Sequence, residues 1–448
     1  MNNNEFIKKY TKLTIATNTI EPEFYDQYAV KRGLRNDNGT GVLVGLTKVS
    51  NVDGYVLEDG IKKPIDGKLY YRGIDLNEIV EGFTNESRRG FEEGVYLLLF
   101  GKLPTNSELI EFNELLGNNR ELPKNFIENM ILRTPSKDIM NKLQRSVLVL
   151  YSHEENPDDL SIENVLLQCI KLIALFPTII SYGYQAKAHY FDKKSLFIHA
   201  PKKSLGTAEN ILHMTRQDNK YTKTEAKILD LCLLLQADHG GGNNSAFVTH
   251  VVSSSGTDTY SVISSAIGCL KGPKHGGANA MVKGMINDIK EHCNYTNKQE
   301  LKEYLKKIMN KEAYDKLGLI YGMGHAVYTL SDPRAVILKE KANELAIEKG
   351  KLKEYELYTN IEQLTKEIFK EMKGENFVIS ANVDLYSGLV YEMLRIPEEL
   401  FTPLFAVARI GGWCAHRIEQ LISDKRIIRP SYQNVVKSGN YIPIGNRK

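Results

Sequence analysis

The chain has 448 residues, of which 42% are hydrophobic and 25% are charged, and its formal net charge is +3. This length exceeds what one simple core needs, so two domains, or one large domain with a smaller lobe, are expected. The small net charge argues against a nucleic-acid binder, which concentrates basic residues on one element. The five cysteines are scattered and odd in number, which fits a reducing cytosol better than a disulfide framework.

The start of the chain lacks the apolar stretch of a secretory signal. The most apolar run, residues 165–182, is interrupted by Gln168, Lys171 and Pro177. It therefore predicts a buried helix and not a membrane span. We expect a soluble, cytoplasmic protein without a membrane or nucleic-acid partner.

The clearest β signal lies in the first 75 residues. Residues 42–49 are partly alternating and β-branched, which predicts a strand, and Asp59-Gly60 predicts a hairpin turn. Beyond this region the pattern becomes helical. Residues 91–100 are followed by a glycine, as a helix end often is, and a capping box that begins at Thr222 opens another helix. The predicted fold class is mainly α, with a short β element near the N-terminus.

Four titratable residues stand in unusual settings, three of them among small side chains that let backbone and ligand approach closely. His239 precedes three glycines, His275 lies between Gly-Pro and Gly-Gly-Ala, and His325 follows Gly-Met-Gly. Asp384 stands in an otherwise apolar segment. A histidine titrates near neutrality and burial raises the pKa of an aspartate, so His275, His325 and Asp384 are candidate proton carriers. Each alone is more often structural, but four together favour a site.

Two arginines predict an anionic ligand. Arg334 falls in the first turn of a helix that Asp332 caps and Pro333 begins, so it faces the positive end of the helix dipole. That unfavourable placement suggests compensation by a bound anion. Arg409 is a charge in an apolar, glycine-rich stretch, and its burial requires a ligand or, as the alternative, an internal salt bridge. Together with His239, these arginines imply a small substrate with more than one carboxylate.

Two other enzyme classes can be raised from the same residues. Residues 239–242, His-Gly-Gly-Gly, match the oxyanion loop of lipases and esterases, but the chain has no G-x-S-x-G elbow. The second class is a metal-dependent hydrolase, with ligands drawn from five side chains: Asp238, His239, His275, His325 and Asp384. No HExxH-type spacing supports that class.

In this order the motifs resemble those of the citrate synthase family, over residues 41–429. The resemblance implies an all-α homodimer with a large domain of residues 1–279 and 391–448 and a small domain of residues 280–390. It also implies condensation of acetyl-CoA with oxaloacetate, the first step of the tricarboxylic acid cycle. Acetyl-CoA would be a substrate, and no cofactor or metal would be required.

The resemblance also implies a role for each matching residue. Asp384 would remove a methyl proton from acetyl-CoA, His275 would stabilise the enol or enolate, and His325 would polarise the ketone of oxaloacetate. The implied substrate-binding residues are His239, Asn243, Arg334, Arg409 and Arg429. Arg429 would act across the dimer, with the nearby Arg426 as the alternative for that position.

The closest alternative activity is that of a 2-methylcitrate synthase, which accepts propionyl-CoA. One methylene is worth roughly 1–3 kcal/mol in a pocket, so the sequence leaves the acyl-CoA preference open. The alternatives of other classes are the metal-dependent hydrolase and a non-catalytic paralogue that binds dicarboxylates.

Overall fold

The computed structural model describes residues 3–59 and 61–447. The chain divides into two compact units, one formed by Met1–Val44 with Arg429–Lys448 and the other by Gly45–Ile428. The larger unit contains every predicted site residue except Arg429. The predicted small domain, residues 280–390, lies within this larger unit, and the domain division stays a prediction.

Helices build most of the chain, which confirms the mainly α fold class. The smaller unit contains α1 (Asn3–Asn18) and α2 (Pro22–Gln27). The helices of the larger unit, in chain order, are α3 (Leu76–Asn85), α4 (Phe91–Phe100), α5 (Asn106–Asn118), α6 (Ile139–Leu150), α7 (Ile162–Tyr190), α8 (Thr207–Thr215), α9 (Lys223–Leu235), α10 (Asn244–Ser253), α11 (Thr259–Lys271), α12 (Ala278–His292), α13 (Lys298–Met309), α14 (Pro333–Glu348), α15 (Leu352–Lys373), α16 (Val383–Met393) and α17 (Phe401–Ser423).

The short β element is a hairpin with a two-residue strand beside it. Strands β1 (Ser50–Glu58) and β2 (Ile61–Tyr71) pair antiparallel, and β3 (Ile74–Asp75) pairs with the other edge of β2. The turn predicted at Asp59-Gly60 falls between β1 and β2. Asp59 has the positive φ of a turn residue, 52°, while Gly60 lies outside the described residues.

The strand predicted for residues 42–49 is wrong. These residues form no strand, and the side chains of Leu43 and Leu46 are 84% and 90% exposed. The sheet begins one residue later, at Ser50, which lies opposite Tyr71. A β-branched pattern says only that side chains suit a pleated surface, whereas a strand also needs a neighbour that pairs its N–H and C=O groups.

Predicted helix ends are confirmed where capping residues mark them. Gly101 ends α4 with a left-handed φ of 74°, and its N–H donates to the carbonyl of Leu97. Thr222 and Glu225 form the predicted capping box at the start of α9. Asp332 caps α14 and Pro333 is its first residue. These local rules hold because each end is satisfied by residues within a few positions.

Helix α7 is, in the described part of the chain, the one helix long and apolar enough to cross a membrane. In its most apolar stretch, 83% of the residues are buried inside the protein, as the sequence predicted. Helices α6, α8 and α17 pack against it. This burial on all sides is what a core helix shows.

Helix α17 connects the core to the segment that carries His239. It packs against α4, α7, α9, α10 and α11, and nearly every side chain from Phe401 to Arg417 is buried. At Gly412 the helix comes so close to Asp238 that a side chain would collide with the aspartate. A charged side chain in this part of α17, such as that of Arg409, is therefore buried inside the protein.

Candidate active site

Buried polar contacts hold the backbone on both sides of His239. The N–H of Asp238 donates to the hydroxyl of Tyr71 at 3.2 Å, and the Asp238 carboxylate accepts from the hydroxyl of Ser50. Nε2 of His416 also lies 3.2 Å from that carboxylate. His239 is 8% exposed, and its Nε2 has no hydrogen-bond partner among the described residues. An unpartnered nitrogen in a fixed, buried ring is suited to a ligand.

His325 lies next to His239, in the loop before α14. Its Nδ1 accepts the backbone N–H groups of Val327 and Tyr328 at 3.0 and 3.1 Å. The neutral ring therefore carries its proton on Nε2. The ring centroids of His325 and His239 are 5.2 Å apart, and that of Tyr328 is 4.7 Å from His325. Two predicted site residues that are distant in sequence are thus brought together.

Asp384 stands in the first turn of α16. Asn382 caps this helix by accepting the N–H of Asp384 at 3.0 Å, and its side-chain amide donates to the carbonyl of Gly324 at 2.9 Å. The start of α16 is therefore tied to the loop that carries His325. Burial raises the pKa of Asp384 to about 6, although the charge of Arg334 opposes this. At neutral pH the carboxylate is largely ionised and is a stronger base than an exposed aspartate.

His275 lies in the turn between α11 and α12. Its Nε2 is 3.0 Å from Oγ of Ser245, and the same oxygen accepts the indole N–H of Trp413 at 3.0 Å. Burial, followed by the charge of Arg409, lowers the pKa of His275 to about 4. The ring is therefore neutral at pH 7 and can act as a hydrogen-bond donor through one nitrogen only.

Arg409 is fully buried on α17. Its Nε donates to the carbonyl of Gln236 at 2.8 Å, but Nη1 and Nη2 have no partner among the described residues. The guanidinium lies over the ring of Phe405, 4.8 Å from its centroid. Burial lowers its pKa to about 10, so the group remains a cation at neutral pH. No salt bridge to Arg409 forms in residues 3–59 and 61–447, so its two free Nη groups suit a bound carboxylate.

Arg334 differs because the protein itself neutralises it. Its Nε and Nη2 donate to the Asp332 carboxylate at 3.0 and 2.7 Å. Burial by itself would lower the pKa of Arg334. The charge of the Asp332 carboxylate and its hydrogen bonds have the larger combined effect and raise this pKa. The inference that a cation in the first turn needs a bound anion is therefore corrected: Asp332 supplies the opposite charge. Arg334 nevertheless acts on the pKa of Asp384 and so lies near it.

The electrostatics of His239 link the predicted site residues. Its pKa is lowered well below the usual value, first by burial and then by Arg334, His325, Arg409 and His275. Such couplings weaken strongly with distance. The side chains therefore surround one region of the larger unit.

Asn243 is connected to this region through a residue that the sequence did not reveal. Oδ1 of Asn243 accepts the hydroxyl of Ser245 at 3.1 Å, and Ser245 also contacts His275. Small polar residues are common at the start of a helix, so the contact of Ser245 with His275 could not be recognised from the sequence. Arg429 is exposed in the smaller unit, and its role stays a prediction.

The five side chains considered as metal ligands are Asp238, His239, His275, His325 and Asp384. No three of them bring their ligand atoms within 4.8 Å of one another in the described structure. The compact ligand set of a hydrolytic metal centre is therefore not found among these five in the described residues.

The fold is mainly helical, and its site places buried cations and imidazoles beside an aspartate able to accept a proton. Residues 37–431 match the family model described as citrate synthase, C-terminal domain. The chain belongs to the citrate synthase family, and it is an acyltransferase. The predicted family and the predicted citrate synthase activity are confirmed.

Several relatives resemble the chain over nearly its whole length. It is 34% identical over 428 residues to the citrate synthase of Synechocystis sp., covering 94% of this chain and 95% of that protein. It is 32% identical over 380 residues to the 2-methylcitrate synthase of Shewanella oneidensis, covering 85% and 92%. The crystal structure of citrate synthase from Thermotoga maritima matches with a TM-score of 0.72 at 31% identity, covering 94% and 99%. A structure from Thermoplasma acidophilum, titled a ternary complex of citrate synthase with carboxymethyl coenzyme A and oxaloacetate, matches with a TM-score of 0.76 at 28% identity, covering 93% and 99%.

Proposed function

We propose that the chain condenses acetyl-CoA with oxaloacetate by acid–base chemistry of Asp384, His275 and His325, as the first step of the tricarboxylic acid cycle. Asp384 takes a proton from the methyl group of acetyl-CoA, and His275 donates a hydrogen bond to the thioester oxygen of the resulting enol or enolate. This carbon attacks the ketone of oxaloacetate, which His325 polarises. Water then cleaves the thioester of citryl-CoA to give citrate and CoA. Acetyl-CoA is a substrate, and we propose that no cofactor takes part.

The observation that carries this proposal is the set of unpartnered polar atoms around the site. Nη1 and Nη2 of Arg409 and Nε2 of His239 are buried without hydrogen bonds to the described residues. Leaving a buried donor unpaired costs about 1–3 kcal/mol, and more for a charged group. The carboxylates of oxaloacetate satisfy such donors, with Arg334 and Asn243 as the further binding residues.

The pKa of Asp384 fits the role of a base. A catalytic base works best when its pKa is near the working pH, because it is then both ionised and reasonably basic. Burial raises the pKa of Asp384 to about 6, closer to neutrality than that of an ordinary aspartate. The buried setting also favours proton uptake, since the protonated form is neutral.

The hydrogen bonds of the two imidazoles bear on which nitrogen of each ring can donate to a substrate. For His275 to donate through Nδ1, the one hydroxyl proton of Ser245 must go to Nε2 of His275, 3.0 Å away, and not to Oδ1 of Asn243, 3.1 Å away. The indole N–H of Trp413 donates to the Ser245 oxygen, so this hydroxyl keeps its own proton for one of these two acceptors. In His325 the two backbone donors at Nδ1 leave Nε2 as the donor toward the ketone.

Asp384→Asn tests the base. The turnover number should fall about 10³-fold, within the 10²–10⁴ range for loss of general base catalysis. Oxaloacetate affinity, measured by calorimetry, should stay within a few-fold, because the carboxylate-binding residues remain. Asp218→Asn, at an exposed aspartate, is the matched control and should retain full turnover. Near-normal turnover in Asp384→Asn would remove Asp384 from the mechanism.

The acyl-CoA preference needs its own assay. A relative of this chain is a 2-methylcitrate synthase, so propionyl-CoA is the second candidate substrate. We propose acetyl-CoA as the preferred substrate. Release of free thiol from each acyl-CoA with oxaloacetate should give a kcat/KM at least tenfold higher for acetyl-CoA, since one methylene is worth roughly 1–3 kcal/mol. A higher value for propionyl-CoA would assign the second activity.

We also propose a homodimer that acts in the cytoplasm. The smaller unit exposes large apolar side chains, with Leu43 at 84%, Tyr432 at 93% and Tyr441 at 82%. We assign these exposed side chains to the surface that packs against the partner. Arg429 would reach the neighbouring site from this unit, with Arg426 as the alternative. Dilution to monomer, followed by light scattering, should abolish activity, and a fully active monomer would contradict the proposal.

A further inference from the structure

Three side chains next to the site form a compact group of possible metal ligands that the proposed reaction does not use. They are His250 on α10 and His416 and Glu419 on α17. Nε2 of His250 lies 3.1 Å from Nδ1 of His416, and Oε2 of Glu419 lies 3.9 Å from the same Nδ1. All three ligand atoms are within 4.8 Å of one another.

In each histidine, the inner nitrogen is the one that faces the other ring, and the outer nitrogen is the one that points away from it. The outer nitrogen of His250, Nδ1, carries a proton. Its Nδ1 is 2.9 Å from Oε1 of Gln420, and Nε2 of Gln420 donates to the carbonyl of Asp424 at 2.9 Å. The opposite amide orientation would place two oxygens against each other at the Asp424 carbonyl. Oε1 of Gln420 therefore faces His250 and can only accept, so Nδ1 of His250 is the donor.

The outer nitrogen of His416 also carries a proton. Its Nε2 is 3.2 Å from the carboxylate of Asp238, which accepts the N–H of Gly240 at 2.9 Å and the hydroxyl of Ser50 as well. An ionised carboxylate has only acceptors. Nε2 of His416 is therefore the donor in this contact.

With a proton on each outer nitrogen, the two inner nitrogens face each other only 3.1 Å apart, and at this distance a proton or a metal ion must lie between them. A third acceptor joins them, because Oε2 of Glu419 has no hydrogen-bond partner among the described residues. The other oxygen of Glu419 accepts the backbone N–H of Lys48 at 2.6 Å, which holds the carboxylate in place. A proton between the two rings would leave Oε2 of Glu419 without a partner among the described residues, whereas a metal ion can bind all three atoms.

We propose that His250, His416 and Glu419 bind a divalent transition-metal ion of the Zn²⁺ type. Imidazole nitrogens at about 2.0–2.1 Å from a tetrahedral zinc ion are roughly 3.3 Å apart, close to the separation of the two inner nitrogens. A carboxylate is the third common ligand, and water takes the fourth position.

The outer hydrogen bonds fit the same assignment. Histidines that bind metals usually donate their other N–H to a carboxylate or a carbonyl, as His416 does to Asp238 and His250 does to Gln420. The ion takes no part in the proposed acid–base steps. Through His416 and Asp238 it is connected to the backbone that holds His239.

Zinc titration of chelator-treated full-length protein at pH 7.5 tests the site. Calorimetry should show one ion bound per chain, and Co²⁺ should give the visible absorption of a tetrahedral site. His250→Gln and Glu419→Gln should each weaken Zn²⁺ binding at least tenfold. His292→Gln is the matched control, since His292 is an exposed histidine 3.3 Å from an Asp288 oxygen, and it should bind as the wild type does.

Two results would overturn the proposal. One is a wild-type protein that takes up no stoichiometric Zn²⁺, as expected if a shared proton holds the two rings together. The other is unchanged affinity in both His250→Gln and Glu419→Gln. Glu419→Gln retains an oxygen for the N–H of Lys48, so it should remain folded, and circular dichroism checks this. The readout is metal binding, so the outcome does not depend on the proposed reaction.

Discussion

Helix α17 buries two arginines, Arg409 and Arg417, and their hydrogen-bonding states are opposite. Arg417 is surrounded by acceptors: its Nε, Nη1 and Nη2 donate to Thr259 at 3.1 Å, Ser253 at 3.3 Å and the carbonyl of Thr257 at 2.9 Å. Arg409 donates to one carbonyl and leaves both Nη groups without a partner in the described structure. Both side chains are 0% exposed, and burial lowers the pKa of each.

Burial alone therefore does not distinguish an arginine that holds the fold from one that binds a substrate. The number of acceptors that the protein supplies does distinguish them. Arg120 shows why opposite charge must be considered too. It is buried with unpartnered Nε and Nη1 atoms, but a carboxylate oxygen of Glu92 lies 4.0 Å from its Nη2. Among the described residues, Arg409 has neither enough acceptors nor a paired carboxylate, so it is the arginine we expect to bind an anion.

Of the two substitutions Arg409→Met and Arg417→Met, the first should have by far the larger effect on the KM for oxaloacetate. The KM for oxaloacetate should rise at least 100-fold, about 3 kcal/mol, because a buried charge-assisted pair with the substrate is lost. The free energy of unfolding should be unchanged or higher, since an unpaired buried cation is removed. Steady-state kinetics and urea unfolding measure the two quantities. A KM within threefold of the wild type would make Arg409 a structural residue.

Arg417→Met should have the opposite effects: the protein should lose stability and keep its affinity for oxaloacetate. Removing the guanidinium leaves the hydroxyls of Ser253 and Thr259 and the carbonyl of Thr257 without their partner. The free energy of unfolding should fall by about 2–3 kcal/mol. The KM for oxaloacetate should stay within twofold when measured below the unfolding transition. If the substrate affinity falls as much as in Arg409→Met, the contrast between the two arginines of α17 is wrong.

The smallest expected difference between the two variants is in the pH dependence of kcat/KM. The kcat/KM of the wild type should fall below a pKa near 6, because protonation of Asp384 removes the base. The charge of Arg409 lowers the pKa of Asp384, so Arg409→Met should move this acid limb to higher pH. Arg417→Met should leave it in place. Rates measured from pH 5 to 8 compare the three proteins, and a shift to lower pH in Arg409→Met would contradict the assigned proximity.

Local sequence rules predicted helix ends better than strands. The capping box at Thr222 and the glycine after α4 could be recognised because the groups that satisfy a helix end lie within one turn of it. The strand at residues 42–49 was wrongly predicted because pairing depends on a partner that the segment itself does not specify. The hairpin formed instead from Ser50 onward, where β2 supplies that partner.

The residue types and their order were sufficient to indicate the family and to nominate His239, His275, His325 and Asp384. Whether a side chain has partners was decided by the tertiary structure. The carbonyl that binds Arg409 lies 173 residues away in the chain, and the hydroxyl beside His275 lies 30 residues away. Such contacts depend on how distant elements pack, and packing cannot be read from local patterns. For this reason the sequence could identify the arginines, but only the folded chain could show which of them is left to bind an anion.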